Sequence, residues 1–383
     1  MMEEPPGKRN QVVSLTDEIL IEILRRLPVR SICRFKCVSR SWRKLISDPV
    51  HRKKLPHTLV GFFYESYNFE RYPRKAHHFT NVSGKGFPFV DPSFSFLPVP
   101  REDVVLLDSC NGLLLCRCFV PGPSDGDGTR PFHYAVCNPA TEKWVMLPDG
   151  SCASGEARTA GAGLGFDPAV SSHFHVVEYV VDEADYLTGV EIYSSRTASW
   201  SYKESEWGDH VMLNPMPNDR SAVFLNGFMH VHAYPFGIIA VDMEGETWIT
   251  IPVPETADDD CYIQQAQGHL CLINIDGADP SKLSIWILED YDTLEWTLKH
   301  SVKRLHLFRQ KRIPFLMDFK VITVHPECNL IYFVYGQFNT LMAYEMDRKE
   351  VRVIRNLGRD CCWLTGTFLP YVPLFSEALG DEH

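Results

Sequence analysis

Residues 136–148 read Val-Cys-Asn-Pro-Ala-Thr-Glu-Lys-Trp-Val-Met-Leu-Pro. Apolar residues flank a short polar connection, and Asn-Pro-Ala-Thr-Glu-Lys is the turn chemistry that joins two antiparallel strands. Trp144 follows Asn138 by six positions. The same offset recurs as Ser194…Trp200, Asp242…Trp248 and Asp290…Trp296, and Asp347…Val353 keeps the spacing with a different side chain. The turn residues lie 56, 48, 48 and 57 positions apart. One tryptophan at a strand start is usually core. Four at one offset and a regular period predict a radial array of similar sheets, a β-propeller.

Working outward, each copy reads as four strands. The last two form the hairpin around the turn: 134–137 into 143–147, 190–193 into 199–203, and 238–241 into 247–253. An upstream pair turns at a polar residue and glycine, Asn111-Gly112, Asn226-Gly227 and Gln267-Gly268, after the runs VVLLDS, SAVFLN and YIQQAQ. The copies from Gly163 to Trp200 and from Phe319 to Val353 follow the same plan, giving five units between about Asp103 and Asn356. Strand-like pieces also occur in residues 57–100 (LVGFFY, HHFTNV, FSFLPV) and in residues 363–375 (WLTGTFLPYVPLF). A sixth blade built from both segments would close the ring and remove two open edges. Six blades are expected, seven only if the first 45 residues of this domain hold further strands; a β-sandwich fits the period less well.

Before the repeats the pattern is helical. Residues 15–46, LTDEILIEILRRLPVRSICRFKCVSRSWRKLI, place Leu20, Ile23, Leu24 and Leu27 on one stripe, with Asp17 and Glu18 in the first turn and Pro28 as a stop. Two further helices are expected, from about Arg30 to Val38 and from Ser39 or Ser41 to near Asp48-Pro49. About forty residues bury little core without a disulfide, a metal or a partner. Cys33 and Cys37 sit one helical turn apart, a poor disulfide site, and no metal-ligand spacing is present. A docking module or an ordinary helical cap on the next domain both satisfy this pattern.

The order and spacing of Leu-x-Asp-Glu-Ile-Leu-x-x-Ile-Leu-x-x-Leu-Pro, followed by Phe-Lys-Cys-Val-Ser-x-x-Trp, resemble an F-box in the form common among plant F-box proteins; Thr16 stands where many F-boxes have proline. SCNGLLLCR, VCNPATEKWVMLP and GLGFDP resemble the F-box-associated domain, a kelch-like propeller that follows the F-box in a large plant family. The resemblance implies a multidomain chain, a three-helix F-box followed by an all-β propeller: a flexible 1–13, the F-box at 14–55, the propeller at 56–375 and a flexible tail at 376–383. It implies binding to the Skp adaptor and, through it, to cullin and RING subunits of a ubiquitin ligase. Carried over residue by residue, Leu15, Leu20, Leu24, Leu27, Pro28, Ile32 and Val38 are the candidate adaptor contacts, and Trp42 holds the helices together.

Composition narrows the surroundings. The 383 residues are 45% hydrophobic and 23% charged, as in ordinary globular chains, with no run of 18 apolar residues and no apolar stretch near residue 1 that reads as a signal peptide. Twelve scattered cysteines, many within apolar runs, suit a reducing compartment, the cytoplasm or nucleus. Residues 1–55 carry a net charge of +7 and the remainder −18. A basic module suits an acidic adaptor better than nucleic acid, because its basic residues interleave with the apolar stripe and the large domain is acidic.

A catalytic constellation is not visible. Gly161-Ala-Gly-Leu-Gly165 lacks a following Lys-Ser/Thr and reads as strand entry; His77-His78, His230-x-His232, Cys116-x-Cys118 and Cys361-Cys362 are pairs without a second half. No cofactor, metal, nucleic acid or membrane is expected. The long connections, 119–132, 149–160, 204–220, 254–261 and 300–317, are expected on one face of the ring, where a target protein would dock. On that face, Lys299, Lys303, Arg304, Arg309, Lys311 and Arg312 form a basic cluster, either a solvated connection or a patch for an acidic or phosphorylated segment. The expected role is the non-catalytic substrate receptor of a Skp–cullin–F-box ligase. A scaffold outside the ligase and a small-molecule-binding propeller are the alternatives.

Overall fold

The computed structural model describes residues 16–25, 35, 38–47, 59–84, 88, 90–120, 122, 130–152, 157–205, 207, 211–213, 222–235, 237–255, 257, 261–275, 282–303, 307, 319–326, 328–361, 368–374 and 379. The chain forms two compact units, Met1–His57 and Thr58–His383.

In the smaller unit, α1 spans Asp17–Arg25 and α2 spans Arg40–Ser47. The first helical bond runs from Leu20 N to Thr16 O (3.0 Å), and Asp17 and Glu18 face the positive end of the helix dipole. Ser39 caps α2, its Oγ accepting from Trp42 N at 3.1 Å. Leu20, Ile21, Leu24, Leu45 and Ile46 form the core, with Phe35 and Trp42 packed against it at a ring separation of 5.2 Å. The apolar stripe therefore differs from the expected one. Ile21 faces inward with Leu20 and Leu24, whereas Ile23 shares an exposed side with Ile19, four positions earlier. Apart from Phe35 and Val38, the expected middle helix lies outside the described residues.

The larger unit is a six-bladed propeller. Five blades follow the chain: β3 (Val104–Cys110) to β6 (Lys143–Met146) through β4 (Leu113–Phe119) and β5 (Phe132–Asn138); then β7 (Arg158–Gly165), β8 (His175–Val181), β9 (Leu187–Ser194) and β10 (Ser199–Glu204). In the third blade, β11 (Met212–Leu213) and β12 (Ala222–Leu225) both pair with β13 (Phe228–Tyr234), which continues to β14 (Gly237–Asp242) and β15 (Trp248–Ile251). The fourth holds β16 (Tyr262–Ala266), β17 (His269–Ile275), β18 (Lys282–Asp290) and β19 (Glu295–Lys303). The fifth holds β20 (Phe319–Val324), β21 (Leu330–Tyr335), β22 (Thr340–Glu345) and β23 (Glu350–Asn356). The sixth joins distant segments: β24 (Leu369–Tyr371) pairs with β1 (Gly61–Tyr67), which pairs with β2 (Lys75–Asn81).

Two local expectations are corrected. FSFLPV is not a strand. Asp91 accepts bonds from Ser93 N, Ser93 Oγ and Ser95 Oγ, and this turn drives Phe94 into a left-handed conformation, φ 51°, with its ring buried. Val90, Phe94 and Leu97 fill the space between the sixth and first blades instead. The fifth turn also shifts register. Asn138 pairs with Lys143, Ser194 with Ser199 and Asp290 with Glu295, and the corresponding pair is Glu345 with Glu350. Asp347 lies inside that turn, accepting from Asn329 Nδ2 at 2.9 Å, and Val351 takes the place of the tryptophan against the core.

The first strands of the blades, β3, β7, β12, β16, β20 and β24, line the centre, where backbones of neighbouring blades run side by side without pairing. Polar side chains join them. Asp108 on β3 accepts from Leu164 N on β7 (2.8 Å), Gln264 on β16 bonds Val324 N and Ile322 O on β20 (2.9 and 2.8 Å), and Ser109 Oγ donates to Pro370 O on β24 (2.8 Å). Gly163 on β7 allows the closest approach, since a Cβ there would lie 2.8 Å from the Cβ of Ala222. The glycine run is thus a packing feature of strand β7.

At the rim, three of the repeated tryptophans join their blades to the connections before them. Trp200 Nε1 donates to Pro148 O and Trp296 Nε1 to Pro252 O, both at 2.7 Å, and Trp248 meets Trp207 edge-on at 5.1 Å. Replacing Trp200 with Phe keeps the ring and removes the donor, an expected cost of about 1 kcal/mol. Trp200→Ala also loses the contacts with Tyr134 and Tyr193, for about 3 kcal/mol in all. Urea unfolding of the full chain measures both; a Phe variant as stable as the parent would show that the bond contributes nothing.

Candidate functional site

Strand direction alternates within a blade, so connections between second and third strands share one face with the connections between blades. Bonds between such segments agree: Tyr72 Oη donates to Glu102 Oε1 (3.1 Å), and Arg130 Nη2 to Asp103 Oδ1 (2.9 Å). This is the face expected to carry the target.

Its described apolar surface is aromatic. In the β1–β2 turn, Phe69 is 75% exposed and Tyr72 88%; Tyr234, at the end of β13, is 66% exposed, and Phe338 lies exposed between β21 and β22. These side chains sit on a fixed backbone. Tyr67 N and Asn68 Nδ2 donate to Asp360 O and Oδ2 (2.8 and 2.9 Å), Gly358 N donates to Phe338 O (3.1 Å), and the Arg359 guanidinium lies 4.8 Å from the Phe338 ring centre. The residues 358–360 thereby tie the aromatic turns of the fifth and sixth blades into one patch. Exposed aromatics bring contact area at low entropy cost, a pattern suited to protein recognition. Sequence reading passed over Tyr67-Asn-Phe-Glu-Arg-Tyr72; the signal was three aromatics inside a polar turn.

The basic cluster is only partly placed. Lys303 ends β19, exposed and opposite Lys282, at the edge of this face. Lys299 precedes it on the same strand, and Leu307 is buried in the core shared by the fourth and fifth blades. Arg304, Arg309, Lys311 and Arg312 lie outside the described residues.

Of the adaptor candidates, Leu15, Leu27, Pro28 and Ile32 also lie outside them. Leu24 is completely buried and Leu20 nearly so, both inside the module's own core, while Val38 is exposed. Trp42 is half-buried against Phe35. Among the described residues, the large apolar groups free to meet a partner are Ile19, Ile23 and Val38, and only Val38 is among the adaptor contacts that the F-box resemblance implies.

The residue pairs singled out in the sequence have local partners. His77 Nε2 lies 3.1 Å from Val104 O and 3.2 Å from Glu65, whose carboxylate also meets Lys75 at 2.9 Å; although burial opposes its ionisation, these two partners hold the Glu65 carboxyl below its ordinary range. His78 bonds Ser66 Oγ (2.7 Å). Cys116 and Cys118 are buried free thiols, Cys116 lying 4.0 Å from Cys137. Cys361 is a buried free thiol as well, and Cys362 lies outside the described residues. His230 is fully buried between Val223 O and Tyr291 Oη, both at 3.0 Å. The carbonyl needs a donor, so Nδ1 carries the proton and Nε2 accepts from the tyrosine.

Fold and surfaces together define a propeller that presents an aromatic face and is preceded by a small helical module. The sequence profile of the F-box associated beta propeller domain matches residues 100–361 and that of the F-box domain residues 13–54, and the chain belongs to the F-box-associated propeller family. Among its relatives is the F-box protein At5g07610 of Arabidopsis thaliana, 24% identical over 76% of this chain and 71% of that protein. The F-box protein At5g49610 of the same plant is 24% identical over 75% of this chain and 78% of its own length. The putative F-box/kelch-repeat protein At4g22430, also from Arabidopsis thaliana, is 23% identical over 94% and 84%.

Burial pushes the His230 pKa down to about 4. Below the ordinary histidine range near 6.5, the unfolded chain takes up a proton that the folded one refuses. Its contribution to stability is therefore whole above that value and falls as pH drops toward 4, by up to about 3 kcal/mol. Urea midpoints at pH 7.5 and 5 are expected to differ less in His230→Gln than in the parent; an unchanged difference would place the titration elsewhere.

Proposed function

We propose that this chain is the substrate-receptor subunit of a Skp–cullin–F-box ubiquitin ligase. It performs no chemistry itself: the helical module binds the Skp adaptor, and the propeller holds a target protein on its aromatic face, near the ubiquitin-carrying enzyme that cullin and RING subunits bring. The observation that carries this reading is the pairing, in one chain, of an F-box with a propeller whose aromatic turns are braced and exposed. Tethering raises the effective concentration of the target, so modest affinity on that face suffices. The cysteines described, nine free thiols, eight of them buried, suit the cytoplasm or nucleus, where such a ligase would act.

Ile19, Ile23 and Val38 are the adaptor contacts this reading selects. Substituting Leu20 or Leu24 would open the module's core and so could not separate binding from folding. Ile19→Asp/Ile23→Asp leaves that core intact. Each lost apolar contact is worth about 1.5–3 kcal/mol, so adaptor affinity is expected to fall about 100-fold or more. Co-purification of the full chain with a Skp adaptor measures this; undiminished binding would refute the assigned surface, and a folded parent that binds no adaptor would refute the ligase role.

A second pair tests the other end. Phe69→Ala/Tyr72→Ala is expected to keep the adaptor and lose target ubiquitination in cells. Unaltered ubiquitination of the same proteins would remove the aromatic face from the account.

A further inference from the structure

The seam between the first and second blades holds a cluster that neither target docking nor adaptor binding uses. Glu178 on β8 and Glu191 on β9 are directly paired across the two strands, so their carboxylates leave the same side of the sheet. Cys152, in the connection that enters the second blade, meets them there. All three side chains are buried, and one ligand atom from each lies within 4.8 Å of the others.

The polar bonding of this cluster is incomplete. Glu178 is 0% exposed; its Oε1 accepts a 2.5 Å bond from Tyr134 Oη, while its Oε2 is buried without a well-formed hydrogen bond, the Thr159 hydroxyl and the Cys152 thiol lying close to the carboxylate. Glu191 Oε2 accepts from Ser151 N and Ser151 Oγ, at 2.9 and 2.5 Å. The nearby cation, Arg117, reaches the Tyr134 hydroxyl at 3.3 Å and lies over the Phe132 ring at 4.3 Å, and bonds neither carboxylate. Like charges opposite each other on neighbouring strands repel, and a buried carboxylate oxygen without a well-formed hydrogen bond is costly.

We propose that Cys152, Glu178 and Glu191 bind a zinc ion that clips the first blade's trailing connection to the second blade. A thiolate with two carboxylate oxygens is a donor set zinc accepts, and the sulfur disfavours magnesium and calcium, which take oxygen ligands. Zinc–ligand lengths of about 2.0–2.3 Å place tetrahedral ligands about 3.5 Å apart, so a small inward movement of the three side chains closes the site. A water fills the fourth position. Glu178 Oε2 is the ligand atom, and the Tyr134 hydroxyl fixes the carboxylate from its other side, as outer-shell partners of metal ligands do. A zinc ion with one thiolate, two carboxylates and the adjacent Arg117 sums to zero charge, which suits a buried seam.

The test uses the full chain, purified without an affinity tag. After dialysis against metal-free buffer, the parent is expected to retain about one zinc per chain by elemental analysis, and chelation is expected to lower its melting temperature by several degrees, restored by zinc alone. Cobalt replacement should give a thiolate-to-metal charge-transfer band. Cys152→Ser should abolish the band, and Glu178→Gln should weaken zinc binding at least about tenfold, both judged on folded protein by circular dichroism. Since a variant can fail to fold, the cobalt titration of the parent decides independently: absence of both zinc and a thiolate band overturns the site, leaving a proton shared by Tyr134 and Glu178. Zinc retained equally by the parent and by Cys152→Ser would also overturn it.

Discussion

The propeller depends on one pairing, that of β1 with β24. Gly61, Phe62 and Phe63 lie opposite Tyr371, Pro370 and Leu369, so strands some three hundred residues apart share one sheet. Without it the ring would open within the sixth blade, and Phe62, Phe63 and Tyr371, all fully buried, would face water. Each such aromatic buries on the order of 150–250 Å², which makes closure a strong term as well as a topological one. Ser109 Oγ to Pro370 O and Asn138 Nδ2 to Leu374 O then bind the closing strand to the first blade.

Everything that faces a partner follows from that closure. Each blade still ends in an outer edge strand, but the ring has no open end, and its neighbouring blades are joined by side chains at the centre and, at three of them, by tryptophans at the rim. The turns can therefore vary without cost to the frame. The β1–β2 turn uses this freedom to expose Phe69 and Tyr72, and the residues 358–360 brace it against the fifth blade. The turn proposed for recognition thus belongs to the blade that closes the ring. The helical module uses the opposite strategy, with a small core of Leu20, Ile21, Leu24, Leu45 and Ile46 and apolar Ile19, Ile23 and Val38 left outside.

Much of the frame was legible in the sequence because antiparallel hairpins declare themselves locally. Asn111-Gly112, Asn226-Gly227 and Gln267-Gly268 all carry positive φ at both positions, as two-residue hairpin turns require. The tryptophan offset exposed the period, and a blade joined from distant segments followed from the need to close a ring. What escaped depended on side chains meeting at a distance. FSFLPV has the composition of a strand, but Asp91 bends it; Asp347 looks like a turn start, yet Lys349 at φ 55° marks the turn as beginning at Glu345. For the binding surfaces, periodicity placed Leu24 on an apolar face without telling the inner side from the outer. Phe69 and Tyr72 were invisible because apolar residues in a turn have no period.

The central claim is that the module is completed by an adaptor while the propeller stays as it is. Hydrogen exchange of the full chain, followed by mass spectrometry with and without a Skp adaptor, tests it most directly. The account predicts strong new protection in Asp17–Arg25 and Arg40–Ser47, with exchange in the blade strands unchanged. Exchange in both helices that is indifferent to the adaptor, in a chain whose blades are fully protected, would contradict it.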